Sequence, residues 1–442
     1  MEIRLSDRFT YKKLLRFTFP SIVMMIFTSI YGVVDGFFVS NFAGKTAFAA
    51  VNFIMPFLMV LGAVGFMFGT GGGALIAKTL GEGDREKAKR LFSLFVYTSA
   101  AIGIVIASLG IIFIRPIASA LGAEGRMLDD AVLYGRIILA ALPAFMLQLE
   151  FQSFFVTAEK PKLGLVMTLI AGFANMILDA VLVGLAGWGL VGAAIATAFS
   201  QLLGGIVPII YFARPNSSAL GLVKTDLNMR ALRQAAFNGS SELLSNISMS
   251  VVGMLYNIQL IKCAGEDGVA AYGVLMYVNF IFISAFIGYC VGSAPIIGFK
   301  YGAADYKQLK GMLKKSIVII GGFSVVMLVT GELLGAPLSK LFVGYDQGLF
   351  EMTRDAFRIF SLSFLFAGFA IFGSSFFTAL NNGPVSALIS FLRTMVFQIA
   401  AVLVFPVFWG IDGIWWSVVA AEVLAVAVTV ILILALKKKY KY

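Results

Sequence analysis

The sequence predicts an all-α membrane protein with twelve transmembrane helices in two parallel-repeat six-helix bundles. Three observations support this fold class. The 442 residues are 60% hydrophobic and 13% charged, apolar runs of helical length recur from end to end, and the two halves of the chain resemble each other. A run of about 20 apolar residues crosses a bilayer, whereas a membrane barrel is built from much shorter alternating strands.

Hydropathy divides the chain into twelve spans, with ends good to about four residues. The spans cover residues 14–40, 48–78, 91–114, 129–157, 164–184, 190–213, 229–261, 269–299, 312–335, 350–378, 386–408 and 413–436. A charged, amphipathic N-terminal stretch precedes a first span of full length. A signal peptide has a shorter apolar region, so we expect the first span to be retained.

The basic residues are distributed unevenly about these spans. Most of the 34 lysines and arginines lie in the N-terminal stretch, in every second loop and in the C-terminal tail. This bias predicts that both termini are cytoplasmic. The formal net charge of +11 therefore reflects membrane topology, and we expect no nucleic-acid partner.

The two halves repeat at an offset of 221 residues. Four pairs of short matches support this register: Ala43-Gly44 with Ala264-Gly265, Gly81 and Asp84 with Gly302 and Asp305, Thr157-Ala158 with Thr378-Ala379, and Trp188-Gly189 with Trp409-Gly410. We predict an N-lobe of helices 1–6 (1–213), a cytoplasmic linker (214–228) and a C-lobe of helices 7–12 (229–442). Parallel repeats of this kind place a substrate site between two lobes that rock, although a duplication without mechanical role is the alternative.

Span two carries small residues at every fourth position, which places them on one helix face: Gly65, Gly69, Gly73, Ala77 and Gly81. Such a face allows neighbouring helices to approach closely. The glycine-rich stretch also resembles a phosphate-binding loop, but Ala77 stands where that motif has a glycine. We therefore predict close helix packing here.

Polar residues inside spans are the strongest functional signal. Asp35 lies in an otherwise apolar run, where a charged side chain costs roughly 2.5 to 3.5 kcal/mol on insertion scales. Asn175 and Asp179 share one face of span five, and Thr197 lies in span six at a similar depth. Two carboxylates with an amide and a hydroxyl predict a site that takes up a proton or Na⁺. Alternatively, Asp179 caps a helix near the membrane surface.

The repeat partners of these four residues are Tyr256, Val396, Ala400 and Val418, so the second half has no matching cluster. The chain contains no histidine, which excludes imidazole proton relays and Ser/His/Asp catalysis. We predict no catalytic residue, no enzymatic activity and no cofactor.

The chain resembles the multidrug and toxic compound extrusion (MATE) transporters, in particular the bacterial DinF-like and MepA-like branch. The resemblance rests on Pro20 fifteen residues before Asp35, on Tyr31, on Asn-x-x-x-Asp at Asn175 and Asp179, and on Thr197. It implies that Asp35, Asn175, Asp179 and Thr197 form an N-lobe cation site and that Pro20 marks a bend in helix one. The helix-seven glutamate of some branches is missing, which implies coupling through the N-lobe alone.

The resemblance further implies a secondary antiporter in the bacterial inner membrane that exports organic, mostly cationic or amphipathic compounds in exchange for H⁺ or Na⁺. We expect a monomer. The predicted substrate-lining residues are Met24, Met25, Tyr31, Gln148, Glu150, Gln152 and Phe155. The alternative function is a flippase for a lipid-linked saccharide or lipid, although Arg393 is the only deeply placed basic residue available for its phosphates.

Overall fold

The computed structural model describes residues 3–442, apart from the side chain of Lys45, and that part of the chain contains helices and no strand. Met1 and Glu2, part of the predicted N-lobe, lie outside the described residues. The helices are α1 (Tyr11–Phe38), α2 (Lys45–Gly81), α3 (Arg85–Ala120), α4 (Gly125–Thr157), α5 (Pro161–Leu178), α6 (Gly189–Ala213), α7 (Met229–Gly302), α8 (Tyr306–Val343), α9 (Gln347–Ser361), α10 (Phe364–Ala379), α11 (Gly383–Phe391) and α12 (Phe397–Tyr440).

Three short π-helical segments extend these helices. Val39–Ala43 follows α1, Asp179–Leu185 follows α5, and Leu392–Val396 joins α11 to α12. A π-helical turn inserts an extra residue into the helical register, and such turns are frequent at functional sites.

Between residues 3 and 442, nine helical stretches are long and apolar enough to cross a membrane, and the bent pair α9–α10 makes a tenth. Two of the nine, Met229–Gly302 with 74 residues and Gly383–Tyr440 with 58 residues, are far longer than a bilayer requires. Each contains one glycine with non-helical backbone angles, Gly265 at φ 64° and Gly410 at φ 56°. Dividing the long stretches at these glycines gives the twelve spans that hydropathy predicts.

The 221-residue repeat is visible in the backbone. Gly44 (φ 94°) and its repeat partner Gly265 both have positive φ, as do Gly189 (φ 52°) and Gly410. Asp84 and Asp305 also correspond, because each caps a helix N-terminus by accepting a hydrogen bond from the backbone N–H three residues ahead. The short matches in the sequence are therefore the turns and caps that both halves need.

The first lobe comprises α1–α6 and the second lobe comprises α7–α12, and residues 214–228 between them are not helical. Each lobe buries its own apolar core, while large apolar side chains such as Phe19, Leu185 and Leu333 remain exposed on the outer surface. In a bilayer, this apolar outer surface faces the lipid chains.

The lobes meet on the side of the molecule that carries both ends of the chain, called the terminal side below. Gly71 lies against the backbone of Ala235 and Gly239, and Gly239 lies against the backbone of Met67 so closely that a Cβ atom would overlap it. Gly81 and Gly302 make equivalent backbone contacts with the opposite lobe. Gly65 and Gly69 instead face α4 of their own lobe, as the small-residue face of span two predicts.

Helix α1 also contacts the second lobe. Gly288 and Gly292 of α7 lie against the backbone of α1 between Thr18 and Ile22, and the hydroxyls of Ser29 and Ser284 are hydrogen-bonded. Pro20 is buried in this region, yet α1 stays helical from Tyr11 to Phe38. The proline therefore causes no break in the helix in this conformation.

The N-terminal segment ties the same side together. Lys300 of the second lobe donates a hydrogen bond to the Ser6 carbonyl at 2.9 Å, and the Leu5 N–H donates one to the Glu159 carboxylate at 2.7 Å. Burial raises the pKa of Glu159, although the Leu5 N–H and nearby arginines stabilise its ionised form. Away from this side, Gly36 and Gly273 have no atom of another element within 4 Å of a Cβ position.

We predict that Gly239→Ala weakens the contact between the lobes. The added methyl group meets the Met67 backbone, and forcing extra volume into a packed contact costs about 1 to 3 kcal/mol. Gly273→Ala, in the span of α7 that follows Gly265, is the control, because its methyl group meets open space and alanine favours a helix. Thermal unfolding in detergent should give a lower midpoint for the first variant only; equal midpoints for the two variants would contradict the proposed packing.

A buried carboxylate pair as the candidate functional site

The site lies in the first lobe where α1 and α5 pass into π-helical segments. Asp35 is 8% exposed and precedes the π-helical segment of α1, while Asp179 is fully buried and begins the one after α5. Both carboxylates are therefore held inside the lobe, near the points where an α-helix passes into a π-helical segment. The interpretation of Asp179 as a helix cap has no support, because no described N–H or O–H group donates to its oxygens.

The four predicted ion-coupling residues come together. The Thr197 hydroxyl donates a hydrogen bond to Asp35 Oδ1 at 3.3 Å, and Asn175 Nδ2 donates to the Thr197 hydroxyl at 3.5 Å. The carboxylates of Asp35 and Asp179 lie within hydrogen-bonding reach of each other. Helices α1, α5 and α6 thus supply all four side chains to one point.

The cluster has more acceptors than donors. Both oxygens of Asp179 and the Asn175 amide oxygen are buried without a hydrogen-bond donor among residues 3–442. Two carboxylates in contact repel each other in a low-dielectric interior unless one is protonated or a cation lies between them. Their oxygens, with those of Asn175 and Thr197, are the ligand type that hard cations prefer. In the described chain, no three His, Cys, Asp or Glu side chains form a larger metal cluster.

Tyr134 of α4 is a neighbour that sequence reasoning missed. Its fully buried hydroxyl lies beside Thr197, and the charges of Asp35 and Asp179 both act on it. Tyrosine is common in this chain, with 14 copies, so no pattern marked this one as part of a site. Its position depends on how α4 is rotated against α6.

The predicted substrate-lining residues lie in the first lobe. Tyr31 is next to both Asp35 and the buried Gln148, whereas Met24 is buried in α1 and Met25 packs against the second lobe. Glu150 and Gln152 are buried inside the lobe, and neither oxygen of Glu150 has a hydrogen-bond partner among the described residues.

Phe155 has a different environment from the one predicted. Its ring packs in the aromatic core of the first lobe, 5.3 Å from the Phe212 ring and 6.1 Å from the Phe151 ring. Only 2% of the side chain is exposed. In this conformation Phe155 is a core residue.

A cavity of about 370 Å³ lies mostly within the second lobe. None of the seven predicted lining residues is on its wall, and the first lobe contributes only small side chains such as Gly69, Thr70 and Ser153. Tyr256, the repeat partner of Asp35, lines the cavity and donates a hydrogen bond to Gln398 at 2.6 Å. A neutral hydrogen bond thus lies at the position that Asp35 occupies in the first lobe, while Ala400 takes the place of Asp179.

Arg393 has an acidic partner that sequence reasoning also missed. Its Nε donates to both carboxylate oxygens of Glu422, at 3.1 and 2.8 Å. Glu422 interrupts an apolar run in the last span, so its isolation in a membrane helix is a signal of the same kind as that of Asp35.

Comparison with known proteins agrees with this architecture. The family model MatE matches the chain twice, over residues 20–181 and 243–404, once in each half. Relatives include the multidrug export proteins MepA of Staphylococcus aureus (strain MRSA252), 24% identical, and of Staphylococcus haemolyticus, 25% identical. Each alignment covers 97% of this chain and 94% of the relative.

Solved structures share the fold over nearly the whole chain. One is described as an outward-facing conformation of a multidrug resistance MATE family transporter, and another as a MOP superfamily transporter from Pyrococcus furiosus. Each has a TM-score of 0.91 and 22% identity, covering 98% of both chains. Since the two MatE matches together span well over half of its residues, this chain belongs to the MatE family.

Proposed function

We propose that the protein is a secondary active antiporter that exports organic, mostly cationic or amphipathic compounds in exchange for H⁺ or Na⁺. The contact between the Asp35 and Asp179 carboxylates, without a donor for Asp179, is the observation that carries the proposal. A site of this kind changes its charge by one unit when it gains or loses a proton or Na⁺. Ion coupling requires such a change.

Helix α1 connects the ion site to the contact between the lobes. This helix holds Asp35 near one end and contacts Gly288 and Gly292 of the second lobe through Thr18–Ile22. A change in charge at Asp35 alters how α1 packs against α5 and α6. The same helix transmits that change to the lobe contact, and Pro20, a residue type at which helices bend, lies in the stretch that makes this contact.

Two lobes that are closed on one side are suited to alternating access. With cytoplasmic termini, as the distribution of basic residues favours, the closed terminal side is the inner side, and the conformation faces outward. Glycine contacts between backbones bury little side-chain surface and are suited to separating and closing again. The MepA relatives are described as multidrug export proteins, which supports export as the direction.

The charges of the second-lobe cavity support an organic cation as cargo. Its wall carries two carboxylates, Glu242 and Glu422, and one guanidinium, Arg393. A lipid-linked saccharide brings phosphates, which such a wall repels on balance. The cavity therefore favours drug export over the flippase alternative.

We predict that Asp35→Asn abolishes export, because the amide removes the charge that an ion must neutralise. The measurement is ethidium efflux from proteoliposomes, driven in turn by a pH gradient and by a Na⁺ gradient. Asp226→Asn in the exposed linker is the matched control and should transport normally. Ion coupling at this site would be refuted if neither gradient drove ethidium transport by the wild-type protein. Full transport by Asp35→Asn with normal membrane insertion would refute it too.

We also predict that the coupling ion stabilises the purified protein. An ion that binds only the folded state raises stability by about 2.7 kcal/mol at a hundred times its dissociation constant. The thermal midpoint of the wild type should therefore rise on addition of Na⁺ or on acidification, and the rise should be smaller in Asp179→Asn than in the Asp226→Asn control. Identical titration curves for all three proteins would count against an ion at the carboxylate pair.

A further inference from the structure

A groove between α4 and α6 lies on the outer surface of the first lobe. Its volume of about 430 Å³ falls within the range of about 300 to 1,000 Å³ that is typical of ligand pockets. Leu133 of α4 and Leu202 of α6 line it and are 43% and 40% exposed. None of its lining residues lines the second-lobe cavity. In a bilayer this surface meets lipid chains, so the groove is open to lipid.

The packing of the two helices gives the groove its shape. Small side chains line much of it and leave space between the helices: Ala140, Ala141 and Ala198. Further toward the terminal side, Gly205 of α6 lies so close to the backbone of Ala144 that a Cβ atom would overlap it. The helices therefore close together at that end, and the groove widens in the opposite direction.

Arg136 is the only charged residue of the groove, and it has no partner within the described chain. No residue between 3 and 442 forms a hydrogen bond or an ion pair with it, and it is exposed. The residues one turn before and one turn after it on α4 are all apolar: Val132, Leu133, Leu139 and Ala140. A guanidinium with five N–H donors thus lies at an apolar surface without an acceptor from the protein.

The depth of Arg136 places it within reach of lipid phosphates. An exposed ion pair between Arg115 and Asp129, 2.9 Å apart, lies where α3 ends and α4 begins, a position typical of the head-group level. Seven residues further along α4, Arg136 lies about 10 Å closer to the centre of the bilayer. Arginine at such a depth directs its charged end toward the head groups while its stem stays among the lipid chains.

We infer that this groove binds an anionic phospholipid of the leaflet opposite the terminal side. The lipid phosphate lies on the guanidinium of Arg136, and one acyl chain lies between α4 and α6. The planar fork of arginine matches two phosphate oxygens, and its charge favours a head group with a net negative charge. The lipid lies beside the ion site, because Ala198 follows Thr197 in α6. The inference requires a bilayer and does not depend on ion coupling.

The test places a fluorescent reporter at the groove. Phe199 lies next to Ala198 and is 45% exposed, so F199W adds a tryptophan that faces the lipid there. The full-length protein is reconstituted into vesicles of phosphatidylcholine and phosphatidylglycerol in varied ratios, with brominated chains on one lipid at a time. Bromine quenches only nearby tryptophans, and the same protein without F199W corrects for the four native ones.

The quenching should show that phosphatidylglycerol binds at the groove about fivefold more tightly than phosphatidylcholine. This ratio is the expected effect of one arginine on a lipid with one additional negative charge. The tryptophan of L109W, on the exposed face of α3, should report similar binding of both lipids.

Three further variants, each combined with F199W, locate the preference. R136Q should remove it. R126Q should keep it, because Arg126 is an exposed arginine of the same helix outside the groove. A140F keeps the charge but fills the groove with a ring, and it should weaken the preference.

Equal quenching by both lipids at F199W would overturn the inference, as would a preference that survives R136Q. A preference of equal size at L109W would show a general attraction of anionic lipid instead of a site. An unchanged preference in A140F would refute the place of the acyl chain in the groove. If A140F does not insert, the comparison of R136Q with R126Q still decides, since both replace exposed side chains.

Discussion

Two carboxylates in contact inside a membrane protein need a positive charge or a proton, and the first lobe is built to hold them at that contact. Two like charges about 4 Å apart repel by about 4 kcal/mol at an effective dielectric constant near 20. Asp35 and Asp179 come from α1 and α5, so the repulsion acts directly on the packing of those helices. The packing of α1, which also reaches the second lobe, therefore depends on the charge of this pair.

The two lobes show how a duplicated backbone acquires different chemistry. The turns at Gly44 and Gly189 recur at Gly265 and Gly410 because both halves need the same changes of direction. Their interiors differ. A neutral hydrogen bond between Tyr256 and Gln398 stands where the first lobe has Asp35, and the second lobe has an ion pair in a cavity instead. The first lobe thus contains a cluster of carboxylate, amide and hydroxyl oxygens, and the second lobe contains a mostly apolar cavity with an ion pair on its wall.

The contacts between the lobes on the terminal side include close approaches of glycine backbone. Backbone meets backbone at Gly71 and Gly239, and at Gly81 and Gly302, so the helices approach closely at these points. In a membrane, close contact of small residues replaces the hydrophobic drive that holds soluble domains together.

The sequence by itself determined the spans, the repeat and the residues that are costly in a membrane. These features depend on local composition and on matches along the chain, so Asp35 and the turn at Gly410 were identifiable without coordinates. The tertiary structure decided which side chains meet. An α-helix has 3.6 residues per turn, so the rotation of the helix decides which side chains face a neighbour. That rotation is a property of the whole packed lobe. Only that packing places Tyr134 beside Thr197, joins Arg393 to Glu422, and puts the Phe155 ring in the aromatic core.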